Sequence, residues 1–180
     1  MVADGTPVGP FPPAADPETY DRLRRRVLWT LPYGLYLTGS RAGDRANLMA
    51  INWVSQVATA PKLIGIGVET SALTHRLVLE GGAFSLCVLA RDDRAIVRKF
   101  VKPAEWDPGA STLNGFAVRV GRTGVPILAS SVAWVECEVR EPVACGSHTW
   151  FVGEVVDCGF NREEGAEVLR MEDTRMSYGG

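Results

Sequence analysis

Seven short apolar runs, each closed by turn-forming residues, limit what this chain can become more than any other feature of its sequence. They cover residues 35–38, 48–58, 63–68, 83–89, 116–120, 132–139 and 149–156, and all are rich in β-branched or aromatic side chains. In the sixth run Ala133, Val135, Cys137 and Val139 alternate with Trp134, Glu136, Glu138 and Arg140. That period of two is the pattern of a strand with one face in a core. Seven such strands make a barrel or a sandwich. With 180 residues, 46% of them hydrophobic and 22% charged, the chain can bury roughly 70% of the surface its unfolded form exposes. No repeat or linker divides it, which predicts a flexible N-terminal arm over 1–15 and a single domain over 16–180.

The arm carries Pro7, Pro10, Pro12 and Pro13 and lacks the basic and apolar blocks of a secretory signal. Asp16 as N-cap and Pro17 at the first helical position predict a helix over 17–29. Leu23, Val27 and Tyr20 would face inward, and Arg22, Arg24, Arg25 and Arg26 would form a solvated face. Pro32 and Gly34 end the helix. A second helix is expected over 74–79, after Ser71 and Thr74, and a third from Asp92 or Asp93 through Val101, with Ile96 and Phe100 one turn apart. Between 102 and 115, Pro103, Pro108 and Gly109 predict a loop, either a lid over a site or a plain connection.

Nineteen basic against 21 acidic residues leave a net charge of -2, which argues against a nucleic-acid surface. Cys87, Cys137, Cys145 and Cys158 have no zinc or disulfide spacing, and no apolar stretch is long enough to span a membrane. The cytoplasm is the expected compartment.

Chemistry is most legible in three places. Residues 47–56 read as one strand, with Ala50, Asn52, Val54 and Gln56 on one face and Met49, Ile51, Trp53 and Ser55 on the other. Asn52 and Gln56 then need polar partners, which a heterocyclic ligand or a hydrated turn would supply. Ser71 and Thr74 stand at a strand-to-helix junction with Arg76 beyond them. They either cap the helix or, with its free N–H groups and Arg76, hold a phosphate. His148 follows Gly146 and Ser147 at the start of the last strand, where it serves a ligand or only the turn. No P-loop, dinucleotide fingerprint or hydrolytic triad is present in the spacing.

In order and spacing these pieces resemble the flavin reductase-like family of FMN-binding split barrels. The similarity rests on Asn52 to Ser55, Pro61, the 63–68 strand, Ser71 to Thr74, and Phe84 to Leu89. It continues through Gly124 to Leu128, Val135 to Val139 and Gly146 to His148, so that it covers about residues 33–160. The resemblance implies a mostly β split barrel with a few peripheral helices, binding FMN, with FAD as an alternative and NAD(P)H as donor. It also implies a homodimer, for which Trp53 and Trp150 are candidate interface aromatics, and no resident metal. By position, Asn47, Asn52, Trp53, Val54 and Ser55 would line the flavin ring and ribityl chain. Ser71, Thr74 and Arg76 would hold the phosphate, and His148 would meet the hydride donor. Two positions depart from the family pattern: Ser147 replaces an Asp and Cys87 replaces an Asn. The implied activity is reduction of flavin by NAD(P)H with electrons passed to a flavin, a monooxygenase partner, iron or a quinone. Because the cofactor carries the chemistry, no acid or base need be visible. The alternatives are a flavin-binding or ligand-sensing barrel without turnover, for which Ser147 is the best hint, and a barrel that has lost its cofactor.

Overall fold

The computed structural model describes residues 7–176. Asp16 caps the first helix as expected, its carboxylate accepting from the Thr19 N–H at 2.9 Å, and α1 runs Pro17–Leu28. Eleven strands follow: β1 (Tyr36–Ala42), β2 (Arg45–Ile51), β3 (Val54–Thr59), β4 (Lys62–Glu69), β5 (Ala83–Val88), β6 (Trp106–Asp107), β7 (Thr112–Leu113), β8 (Phe116–Val120), β9 (Pro126–Leu128), β10 (Ala133–Cys145) and β11 (His148–Phe160). Helix α2 (Leu73–Gly81) lies between β4 and β5, and α3 (Arg94–Val97) between β5 and β6. The chain is mostly β, with few helices.

One sheet has the order β2-β1-β5-β10-β11-β4-β3, antiparallel throughout. Its two edge strands, β2 and β3, are consecutive in the chain and are joined only by Asn52 and Trp53. Such edges cannot lie far apart, so the sheet must curl round toward a barrel. The interior collects Ile51, Ile66, Val68, Phe84, Leu86, Cys137 and Phe151 from five strands, with Val78 of α2. A second sheet, β6-β7-β8-β9, covers the outside of β1, β2 and β5. Leu37, Leu48 and Cys87 meet Phe100, Leu113, Ile127 and Leu128 there. Strands buried on both faces explain why the middle of the sequence reads as apolar runs without clean alternation. Both buried thiols are held protonated, as burial pushes Cys87 up to about 11 and Cys137 up to about 12.

The C-terminal segment lies along this second core as a strap. The Leu169 N–H donates to the Leu89 carbonyl at 2.9 Å, the Leu35 N–H to the Leu169 carbonyl at 3.3 Å, and the Met171 N–H to the Tyr33 carbonyl at 3.0 Å. Leu169 is fully buried as a result.

Several expectations need correcting. Run 48–58 is two strands, broken at Asn52 and Trp53 by the turn that closes the barrel, so the expected face alternation does not run through it. Ile51 and Val54 both face the interior core. On α1, Leu23 is 54% and Val27 57% exposed, and the buried residue is Asp21, paired with Arg24 and Arg25. Periodicity told which residues share a face, but it could not supply a surface for that face to meet. Of the expected arm, residues 1–6 lie outside the described residues. Phe11 packs edge-on against Tyr20 and beneath Arg24.

The third helix keeps a single α turn between two 3-10 turns, and the 102–115 loop contains the small β6–β7 hairpin. Glu136, read as solvent-facing, is fully buried. Its carboxylate accepts from the Arg122 and Thr123 N–H groups at 2.8 and 2.9 Å and from the Thr123 hydroxyl, and so fixes the turn before β9.

Candidate active site

A cavity of roughly 370 Å3 opens where the end of β2, the end of β4 and the start of α2 converge. Asn47, Asn52, Glu69, Ser71 and Thr74 give it a polar side; Met49, Ile51, Val101, Met171 and Met176 give it an apolar one.

The helix start is the first notable feature. The N-cap of α2 is Ala72, which makes no side-chain cap, and the first turn holds no acidic residue. The leading N–H groups of a helix have no intrahelical acceptors, so this end presents unsatisfied donors and a positive dipole end to the cavity. Neither hydroxyl expected to cap it does so. Ser71 stands exposed in the cavity wall. Thr74 is fully buried, and its Oγ1 accepts from Asn47 Nδ2 at 2.9 Å. Asn47 Oδ1 in turn accepts from the Ala104 N–H at 2.8 Å. One side chain thereby ties β2, α2 and the 102–115 segment together, and that segment lends Lys102 and Pro103 to the wall.

The barrel corner supplies the second feature. Asn52 is 3% exposed, and its buried Nδ2 has no hydrogen-bond partner. Leaving such a donor unsatisfied costs about 1–3 kcal/mol. The neighbouring Trp53 turns to the outer face, where its ring lies 4.6 Å from that of His148. Trp150 lies across Gly65 and Gly67, and a Cβ on Gly65 would stand 2.2 Å from the Trp150 ring. Small residues at these two positions make room for an aromatic shelf beside the cavity.

His148 opens β11 opposite Glu69, a cavity residue. Its Nδ1 lies 2.9 Å from Ser147 Oγ. Burial lowers its pKa below the ordinary histidine value, with the Glu69 charge acting the other way.

Of the residues expected at the site, Asn47, Asn52, Ser71 and Thr74 wall the cavity and His148 stands at its side. Trp53 belongs to the shelf, Val54 packs against the barrel core, and Ser55 and Arg76 are exposed; none of these four lines the cavity. Cys87 does not reach it, as its sulfur lies in the second core and accepts from the Leu128 N–H at 3.3 Å. Sequence reasoning missed Glu69, Lys102, Met171 and Met176. The first two flank motifs already noted; the methionines gave no signal, because they arrive on the distant C-terminal strap.

The flavin reductase-like domain matches residues 28–179. The chain belongs to the flavin reductase-like family. A ferric-chelate reductase (NAD(P)H) of Archaeoglobus fulgidus is 32% identical to this flavin reductase-like chain over 158 residues, 86% of the chain and 90% of that protein. Among solved structures, an NADH:FAD oxidoreductase of Streptomyces globisporus has a TM-score of 0.75 at 26% identity and covers 92% of this chain and 96% of its own. An FMN-binding protein of Thermus thermophilus has a TM-score of 0.63 at 27% identity, covering 73% and 72%. The chain spans only part of the first curated relatives it matches, 58% of one and 23% of the next. Among the described residues no helix is long and apolar enough to cross a membrane.

Proposed function

We propose that this chain is an NAD(P)H-dependent reductase that binds FMN in the central cavity. One juxtaposition carries the reading: an uncapped helix N-terminus and an orphaned buried amide, Asn52 Nδ2, face the same cavity. The first suits a phosphate, the second a ring carbonyl, and the apolar side suits the flat body of a flavin. The residues present therefore fit the cofactor. The names of the relatives support the same class, since one is an NADH:FAD oxidoreductase and another an NAD(P)H ferric-chelate reductase.

Flavin, when bound, supplies the hydride-accepting and electron-passing chemistry. The protein's part is binding, orientation and access. The first turn of α2 and Ser71 hold the phosphate, and Asn52 fixes the ring edge. Met171 and Met176 exclude water from the apolar side. The hydrogen bond between Ser147 Oγ and His148 Nδ1, with the Trp53 contact, orients that ring beside the donor's approach. The acceptor the protein would serve is a flavin, a monooxygenase, iron or a quinone. The four free thiols suit a reducing, cytoplasmic compartment.

Titration with FMN followed by NADH or NADPH, watching loss of nicotinamide absorbance, tests this reading. Tight FMN binding without turnover would select the non-catalytic barrel, the reading that Ser147 favours. His148→Ala is expected to slow reduction of bound FMN about tenfold, or about 1.4 kcal/mol of barrier, with FMN affinity nearly unchanged. A stopped-flow rate equal to that of the unaltered protein would remove His148 from the site.

A homodimer is also part of the proposal. Leu23, Val27, Leu28 and Leu31 leave an exposed apolar stripe on and after α1, and the Trp53–Trp150 shelf adds a second surface. Light scattering should give about twice the 19.5 kDa subunit mass. A monomer that still binds FMN tightly would refute a pocket completed by two subunits.

A further inference from the structure

A second cleft, of roughly 460 Å3, opens between α3 and the C-terminal strap, next to the proposed flavin cavity. Met176 stands in both walls, so the two spaces adjoin along one side chain. Arg94, Arg98 and Arg175 line the cleft, and none of them is in an ion pair among the described residues. The one carboxylate there is already committed: Asp173 accepts from Arg91 Nε at 2.8 Å and from the Arg170 N–H at 3.0 Å. Nearby acids are engaged as well, with Asp92 and Asp93 on Arg162, Glu167 on Arg91, and Glu172 on Arg170. Three guanidinium groups therefore line one concave space, none of them held in an ion pair among the described residues.

Their placement is directional. Arg94, Arg98 and Lys102 recur every fourth residue, and Lys102 lines the central cavity while the two arginines line the cleft. Cations thus stand in the walls of both spaces. An arginine row on a convex surface is ordinarily a solvated face. Concavity, the engaged acid and continuity with the cavity set this group apart.

We propose that Arg94, Arg98 and Arg175 form a second anion subsite, which takes the phosphate of the adenosine half of a dinucleotide whose redox-active half is the flavin in the central cavity or lies against that flavin. Guanidinium forks match phosphate oxygens in pairs, and three of them can hold a diphosphate or a sugar phosphate. The proposal rests on the flavin reading above. Two ligands carry this chemistry: FAD, through its adenosine diphosphate half, and NADPH, through its 2′-phosphate.

The test uses the full chain with all three arginines changed, R94Q/R98Q/R175Q; all three are exposed, so the fold should survive. Flavin fluorescence gives the affinity for FMN and FAD, and calorimetry on the FMN-loaded protein gives that for NADP+ and NAD+. FMN and NAD+ should bind as before, while FAD or NADP+ weakens about tenfold or more, the loss of one or two charge-assisted hydrogen bonds. A loss confined to FAD identifies the flavin as the source of the phosphate, and a loss confined to NADP+ identifies the donor. Unchanged binding of both, or equal weakening of all four ligands, would overturn the subsite and leave the flavin reading standing. If the unaltered protein binds no FMN at all, the flavin reading fails and the subsite with it.

Discussion

Ala72→Asp is expected to make the ligand-free chain more stable while it expels FMN. Ala72 is the N-cap of α2, with extended backbone at φ −70 and ψ 146, and its side chain caps nothing. An aspartate there accepts from the free N–H groups of the first turn and complements the dipole, worth about 1 kcal/mol. The same donors are those assigned to the FMN phosphate. The new carboxylate would occupy them and repel the dianion, so FMN affinity should fall about a hundredfold, or about 2.7 kcal/mol. Riboflavin has no phosphate and should bind nearly as before. Parallel titrations with the two flavins, and thermal melts without either, decide the matter. Equal losses for both flavins would place the phosphate elsewhere.

Gly39→Ala should cost about 3 kcal/mol of stability, at the upper end of overpacking. Gly39 is the point where β1 passes beneath the turn into β9. A Cβ there would stand 2.0 Å from the Pro126 carbonyl oxygen and 2.4 Å from Ser85 Oγ. Ser85 Oγ already donates to that same carbonyl at 2.6 Å, so neither neighbour can swing away. Relief needs the two sheets to part. For a chain of this size a loss of that magnitude lowers Tm by roughly 6–12 °C. A melt at the original temperature would mean that the sheets do not touch at Gly39. The expected effect on riboflavin and FMN affinity is equal and small, which separates this variant from Ala72→Asp.

Much of this architecture is legible in the chain because local rules and global fold agree. Asp16 and Pro17 mark the first helix to within one residue of its observed end, and the alternation at 133–139 marks the strand that pairs on both sides. The reading failed where a distant segment decides. Glu136 obeys strand alternation, yet two backbone N–H groups from the turn before β9 turn its outward face into an interior one. Leu23 and Val27 obey helical alternation but stay more than half exposed. At the site the same division holds. Asn52, Ser71 and His148 belong to motifs contiguous in sequence. Met171 and Met176 reach the cavity only because Leu169 is pinned between Leu35 and Leu89, a contact no local pattern encodes.

The seam at Asn52 and Trp53 has a dynamic consequence. Both edges of the large sheet end there, and the amide assigned to the ligand sits on the seam itself. Any sub-global opening that separates β2 from β3 therefore also dismantles the binding site, and a ligand held by Asn52 opposes that opening by mass action. Amide hydrogen exchange should register the coupling as slower exchange along β2 and β3 when FMN is bound, with the β5–β10 pairing at the middle of the sheet changed least.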